Sequence, residues 1–333
     1  MTVPCRGKLS RRALVIGLAL AMGTGAVHAA GALKVWRHGI VEAKGDSSIL
    51  FMPARGGFAE KRGIDLQLVQ FVVGTTPVRA LVAGQLESFE GSPVVALAAM
   101  HQGADIKIVG CHWPVMTYSV FARADINSIS DLRGKTVGVS APGSLPDLFI
   151  REALESGGLK DTDVRYANAG SSTDRFKAVA AGVVDAAGSS SEFEIEAGAR
   201  GLTVLMRGAE ATPNLLRSCL MTTARNIAGR RADLVNFLAA SMEGYAHALA
   251  NREAAVRLAK ESAHLPPGDG SAEFVYDEVI KYSAVTPDLA IPLDKVQWAD
   301  DIMVKHGAVR ERMDAARFVD DGPRREALRL IGN

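Results

Sequence analysis

The feature that most constrains this chain is its punctuation. Between residues 33 and 190, short β-rich runs alternate with helix-forming stretches, and the changes are marked by glycine or by a hydroxyl residue before proline. Residues 33–40 read as a first strand. A loop at Gly45-Asp46-Ser47-Ser48 follows, then a helix to about Arg62 that stops at Gly63, since glycine readily takes the left-handed conformation that ends helices. Residues 65–71 are a second strand. After Val73-Gly74-Thr75, Thr76-Pro77 opens a helix with a hydroxyl cap and a first-turn proline, and Gly84 closes it. Residues 86–89 give a short third strand, Gly91-Ser92-Pro93 opens another helix, and residues 106–109 are a fourth strand. This alternation predicts an α/β fold: a mostly parallel sheet covered by helices, with ligands bound beyond the carboxyl ends of the strands.

The pattern then recurs. Strands are predicted at 135–139, 164–167 and 184–187, and helices at 144–155 and from Ser172 to Gly182. Between them lie the loops Ser140-Ala141-Pro142-Gly143, Asn168-Ala169-Gly170-Ser171-Ser172 and Gly188-Ser189-Ser190-Ser191. Residues 80–92 align with 179–189, each reading helix, glycine, acid, short strand and Gly-Ser loop. Any strand-helix unit carries similar marks, but the repeat predicts two similar Rossmann-like lobes. From Asn226 onward helix formers dominate, at 234–250, 252–262, 271–282 and 296–306, with breaks at Pro266-Pro267-Gly268 and at 287–292. This C-terminal segment is expected to be a helical layer packed on a lobe already formed.

At the N-terminus Arg6, Lys8, Arg11 and Arg12 precede an apolar run at 13–22 and small residues ending Val27-His28-Ala29. That is the layout of a cleavable signal peptide over residues 1–29. An apolar helix of this length spans about 15 Å, half of a hydrocarbon core of about 30 Å, too short for a permanent anchor. Ser10-Arg11-Arg12 partly matches a twin-arginine signal, so the export route stays open. Cleavage removes four basic and no acidic residues and takes the formal charge from +1 to −3, which leaves no electrostatic footprint for nucleic acid. Cys5 precedes the apolar run, where no lipid-attachment cysteine would be. Of the two cysteines that remain, Cys111 and Cys219, pairing is open in an oxidising compartment, and two buried thiols are the expectation. The histidines show no zinc spacing, and neither a metal nor a cofactor is expected.

Several pieces occur together in order: Gly57-Phe58-Ala59-Glu60-Lys61-Arg62-Gly63-Ile64-Asp65, Val78-Arg79-Ala80-Leu81-Val82-Ala83-Gly84-Gln85-Leu86-Glu87, Gly91-Ser92-Pro93, Ser130-Asp131-Leu132-Arg133-Gly134-Lys135-Thr136-Val137-Gly138-Val139 and Ala181-Gly182-Val183-Val184-Asp185-Ala186. In this spacing, behind a signal peptide, the chain resembles the periplasmic solute-binding proteins of the nitrate, sulfonate and taurine type of ABC importer, whose fold also occurs in thiamine-precursor binders. One departure is Glu87, where that family often has aspartate. The resemblance implies a periplasmic binding protein type II-like architecture. Lobe one would be 30–120 with 222–333 and lobe two 121–221, joined by crossing segments near 117–123 and 217–223. It also implies a periplasmic monomer that closes on a small-molecule ligand, an ABC importer permease as partner, and no enzymatic activity.

The strand-end loops concentrate hydroxyls: Ser47 and Ser48, Thr75 and Thr76, Ser92, Ser140 and Ser144, Ser171 and Ser172, Ser189 and Ser190. Several of them open helices, whose free N–H groups and dipole favour anions, although each serine alone also reads as a helix cap. Thr76, Ser92 and Ser144 are the expected direct contacts. Trp113 reads as core or as a stacking surface. Glu192 reads as a solvated acid at a helix start or as the partner of a ligand ammonium group. No arginine stands in a cleft loop, which argues against a densely charged ligand such as phosphate. The rival reading is an enzyme of the same fold, desulfinase-like or pyrimidine-forming, using Cys111 and His112. Sequence neighbours on an extended segment point in opposite directions, however, and nucleophilic catalysis needs a base beside an activated thiolate.

Overall fold

The structure, a computed structural model, describes residues 32–332, and the expected signal peptide at 1–29 lies outside the described residues. The strands are β1 (Lys34–Val41), β2 (Ile64–Phe71), β3 (Ser88–Gly91), β4 (Ile106–Trp113), β5 (Tyr118–Arg123), β6 (Thr136–Val139), β7 (Arg165–Asn168), β8 (Ala186–Ser190), β9 (Leu202–Arg207) and β10 (Ser218–Thr223). They form two five-stranded sheets ordered β2-β1-β3-β10-β4 and β7-β6-β8-β5-β9. In each sheet the first three strands are parallel and the fourth runs antiparallel to both neighbours. The same topology is therefore built twice, as two Rossmann-like lobes.

The chain passes from the first sheet to the second between Trp113 and Tyr118 and returns between Arg207 and Ser218. Most of the expected connecting segments, 117–123 and 217–223, are thus strands β5 and β10. Every residue of β10 is buried, as are the middle four of β5, so neither shows the one-sided alternation by which a strand is read. β10 also accounts for the cysteines. By inserting between β3 and β4 it places Cys219 beside Cys111, 108 positions away in sequence, with Cα atoms 3.9 Å apart, and the two form a disulfide. The expected pair of free thiols is therefore incorrect, because strand order is not visible in sequence spacing.

The helices are α1 (Ser47–Leu50), α2 (Met52–Arg55), α3 (Phe58–Lys61), α4 (Thr76–Val82), α5 (Pro93–His101), α6 (Leu145–Ser156), α7 (Ser172–Ala180), α8 (Glu194–Ala197), α9 (Gly208–Ala211), α10 (Ala224–Gly229), α11 (Arg231–Ala250), α12 (Arg252–Ser262), α13 (Ser271–Tyr282), α14 (Leu293–Lys305) and α15 (Gly322–Leu330). The single helix expected before Gly63 is three short turns, broken at Gly57, which takes a left-handed φ of 77°. At matching places in the two lobes Gly84 (φ 72°) and Gly182 (φ 69°) end α4 and α7, a conformation that costs glycine little.

Packing makes each lobe a three-layer sandwich. On one face of the first sheet, Trp36, Val109 and Leu220 are buried against Phe237, Tyr245 and Val275 of the C-terminal helices. On its other face Phe89, Ile108 and Met221 meet Leu97 of α5 and Ile302 of α14. That second cluster continues without a break into Val120, Val137, Leu148 and Ile150 of the other lobe. The C-terminal helices therefore cover both faces of the first sheet rather than forming one layer. α7 covers the remaining face of the second sheet through Phe176 against Phe121 and Val184.

Candidate functional site

Strand ends of both sheets converge on one cleft with about 110 Å³ of free space. The first lobe supplies Glu42, Lys44, Asp46, Thr75, Glu90 and Ser92, and the second supplies Tyr118, Ser140, Ser144, Ser172 and Arg175, with Arg217 at the returning crossing. α5, α6 and α7 begin at Ser92, Ser144 and Ser171, so three helix N-termini open onto this space.

Of the candidate residues, Thr75, Ser92, Ser140, Ser144, Ser171 and Ser172 line the cleft; Ser47, Ser48, Thr76, Trp113, Ser189, Ser190 and Glu192 do not, so of the three expected direct contacts Thr76 lies elsewhere. The hydroxyls have separate tasks. Ser171 caps α7 by accepting from the Asp174 N–H at 3.2 Å. Ser47 accepts from the Lys44 N–H at 2.9 Å, and Ser144 donates to the Ala141 carbonyl at 2.7 Å. Ser172 accepts from the Ser190 N–H at 2.8 Å, and Ser189 donates to the Ser172 carbonyl at 3.0 Å, so these serines tie loop to strand. Ser92 makes no cap bond, and its buried Oγ has no hydrogen-bond partner among the described residues. Ser48 Oγ is buried and equally without a partner, away from the cleft.

Trp113 is fully buried and carries the Arg217 guanidinium 4.4 Å above its ring. It stacks on the protein's own cation. Glu192 is also buried rather than solvated, accepting from the Gly45 N–H at 2.9 Å and lying 3.8 Å from Lys44 Nζ. Burial outweighs the lysine and pushes its carboxyl up to about 7.

The cations were missed in the sequence. Arg217 donates to Asp46 at 2.6 Å, and Lys44 lies 3.0 Å from the same carboxylate. Burial would raise the Asp46 carboxyl, but the two cations hold it down to about 2. Arg175 differs. It is 2% exposed and donates only to neutral acceptors, the Gly188 carbonyl at 2.7 Å, Ser140 Oγ at 2.6 Å and the Gly170 carbonyl at 2.9 Å. Asp174, the preceding residue, is taken up by Ser171. Among the described residues Arg175 has no ion-pair partner, and burial lowers its pKa. A buried charge without a counter-charge is costly, so the cleft is arranged to receive an anion. No arginine was expected in a cleft loop, but Arg217 lies in the loop that leads into β10 and Arg175 in the first turn of α7, and both line the cleft. A signal was present, since a cation in the first turn of α7 opposes the helix dipole.

On the first lobe's wall Glu90 is 3% exposed, and its Oε2 has no hydrogen-bond partner. His112 Nε2 and His38 Nε2 lie 3.5 and 3.6 Å from it. Burial drives His112 down to about 4, so this ring is neutral near pH 7. Cys111, bonded to Cys219, presents no thiolate to it. Among the described residues no group of three or more His, Cys, Asp or Glu side chains is placed to hold a metal ion.

Residues 45–255 match the model of the NMT1/THI5-like family. A candidate binding protein of Brucella abortus is 33% identical over 143 residues, and the match spans 43% of each chain. The alkanesulfonate-binding protein SsuA of Xanthomonas axonopodis pv. citri, solved with MOPS bound, superposes with a TM-score of 0.72 at 18% identity, over 86% of this chain and 98% of that one. The desulfurization enzyme DszB superposes with a TM-score of 0.64 at 15% identity, over 89% and 99%. At these identities the likeness shows the fold, that of the two-lobed periplasmic binding proteins, and one fold serves both a binder and an enzyme.

Proposed function

The chain belongs to the NMT1/THI5-like family, and from that premise we propose that it is an exported solute-binding protein that captures a small organic anion between its lobes and delivers it to an ABC importer permease. The lobe bounds expected from the sequence, 30–120 with 222–333 and 121–221, shift by a few residues so that β5 falls whole in the second lobe and β10 whole in the first; in this reading residues 1–29 direct export to the periplasm, and the protein acts as a monomer. Sulfonates and carboxylates are the ligand classes that suit the cleft.

One observation carries this reading: Arg175 is buried in the cleft wall with neutral partners alone, and an anion would complete it. Helix N-termini and the free Ser92 hydroxyl supply the further donors such a group needs. The rival, cysteine chemistry at Cys111 and His112, lacks its nucleophile while Cys111 is bonded to Cys219.

The test is a thermal-shift screen with sulfonates, carboxylates, aromatic acids and pyrimidines, run on the wild type and on Arg175→Met. One anion class is expected to raise the wild-type melting temperature, by about 3 kcal/mol of stabilisation at a hundredfold excess over Kd. Arg175→Met is expected to melt at or above the ligand-free wild type and to lose that shift. Equal shifts in both proteins would remove Arg175 from the site, and conversion of the bound compound would replace capture with catalysis.

A further inference from the structure

The charges around the cleft do not cancel evenly. Lys44 and Arg217 both have acidic neighbours, through contacts of 3.0 Å from Lys44 to Asp46, 2.6 Å from Arg217 to Asp46 and 3.8 Å from Lys44 to Glu192. Two buried groups are left over, one on each lobe and of opposite sign: Arg175 and Glu90. Among the described residues they form no ion pair with each other.

Among the described residues no lysine or arginine pairs with Glu90, which faces two histidines and a tyrosine. His112, from β4, is held neutral by burial. Tyr245, from α11, is kept protonated by its burial and by the neighbouring Glu90, toward which its hydroxyl is directed, and its ring stacks 5.2 Å from that of His112. His38, from β1, turns Nδ1 to Ser88 Oγ at 2.7 Å and leaves Nε2 3.6 Å from Glu90, longer than a hydrogen bond. Glu42, half-buried on the same wall, adds a second negative charge. The first lobe thus offers a buried carboxylate oxygen, Glu90 Oε2, without a hydrogen-bond partner, and the second a buried cation, Arg175, without an ion-pair partner among the described residues.

We propose that the cleft takes an amphoteric ligand, with an anionic group bound at Arg175 and a separate ammonium or other hydrogen-bond-donating group read by Glu90. Glu90 is then the specificity-determining residue: it rewards the donor and repels a plain anion of the same size. Each end of the ligand grips a different lobe, so only a compound carrying both groups draws the lobes together.

The proposal rests on anion capture by this cleft, and matched probes separate the two. Isothermal titration would compare 3-aminopropanesulfonate with propanesulfonate and 4-aminobutyrate with butyrate, on the wild type, Glu90→Gln and Glu90→Asp. In the wild type the amino member of at least one pair binds about tenfold or more tighter than its partner. Glu90→Gln erases that preference, by weakening the amino compound and strengthening the plain anion, and Glu90→Asp restores part of it. Plain anions that bind the wild type as tightly as their amino counterparts overturn the amphoteric ligand and leave anion capture standing. The same holds if the preference survives in a Glu90→Gln protein whose melting temperature is unchanged. If no member of either pair binds at millimolar concentration, both readings fall.

Discussion

His112 and Glu192 are both buried, yet burial acts on them with opposite signs. His112 titrates near 4 in the fold against 6.5 ordinarily, so between those values the unfolded chain binds a proton that the fold refuses. Its contribution to stability is complete above about pH 6.5 and falls by about 3 kcal/mol as the pH drops to 4. Glu192, raised to about 7 from 4.5, keeps a proton that the unfolded chain has lost. Its contribution is complete below about pH 4.5 and is lost as the pH rises through 7. His112→Gln should therefore shift the balance of stability toward pH 5, and Glu192→Gln should shift it toward pH 7. Urea midpoints at the two pH values measure both changes, and the same change in both variants would contradict this assignment. The residue scale is also where the sequence was hardest to read. A serine in a glycine-rich loop at a strand end announces itself, as Ser92 and Ser144 did. Arg175, Glu90 and Lys44 are ordinary residues of a helix, a strand and a loop, and only folding decides which of them meet without partners.

Elements were legible wherever one end was chemically marked. The Thr76-Pro77 and Ser92-Pro93 starts and the Gly84 and Gly182 stops correspond to α4, α5 and α7. β9 carried no such mark, and β5 and β10, buried in the middle of their sheets, read as connections. The disulfide belongs to this scale because it joins two elements, β4 and β10. Replacing Cys111 and Cys219 together by alanine should lower stability by about 2–5 kcal/mol in urea unfolding, and an unchanged midpoint would deny the bond a structural role. The β7–α7 loop supports a sharper comparison. Gly170 has a φ of 74°, a Cβ placed there would lie 2.8 Å from Asp174 Oδ2, and its carbonyl accepts from both Arg175 and Ser140. Gly158 has the same φ in open space after α6. Alanine at either site should cost about 1–2 kcal/mol of stability, but only Gly170→Ala should also weaken anion binding, by about tenfold. Equal affinities in the two variants would show that the loop does not position Arg175.

At the scale of the whole molecule, contacts between the lobes fall into two kinds. Near α14 they are cemented: the apolar cluster runs unbroken from Leu97 and Ile302 to Leu148, and His306 pairs with Glu152 at 2.9 Å and Asp161 at 3.1 Å. At the cleft mouth they are separate hydrogen bonds. Gly45 N–H donates to Glu192 at 2.9 Å, Thr173 Oγ1 to Glu42 at 3.3 Å, and Ser191 Oγ to Glu278 at 2.5 Å. Such bonds to carboxyl groups contribute about 1–3 kcal/mol each in net terms and can break one at a time, so opening on this side with the cemented side as hinge is the expected motion. Two consequences follow for a ligand-binding protein of this build. A saturating ligand should reduce the radius of gyration measured by small-angle scattering. Ser191→Ala combined with Glu278→Gln removes one clasp without touching the cleft wall, and should speed ligand release by about five- to tenfold while leaving association within about twofold, because the clasp forms after encounter. Stopped-flow traces separate the two rates. A slower association with unchanged release would mean that Ser191 and Glu278 guide entry instead of holding the closed form.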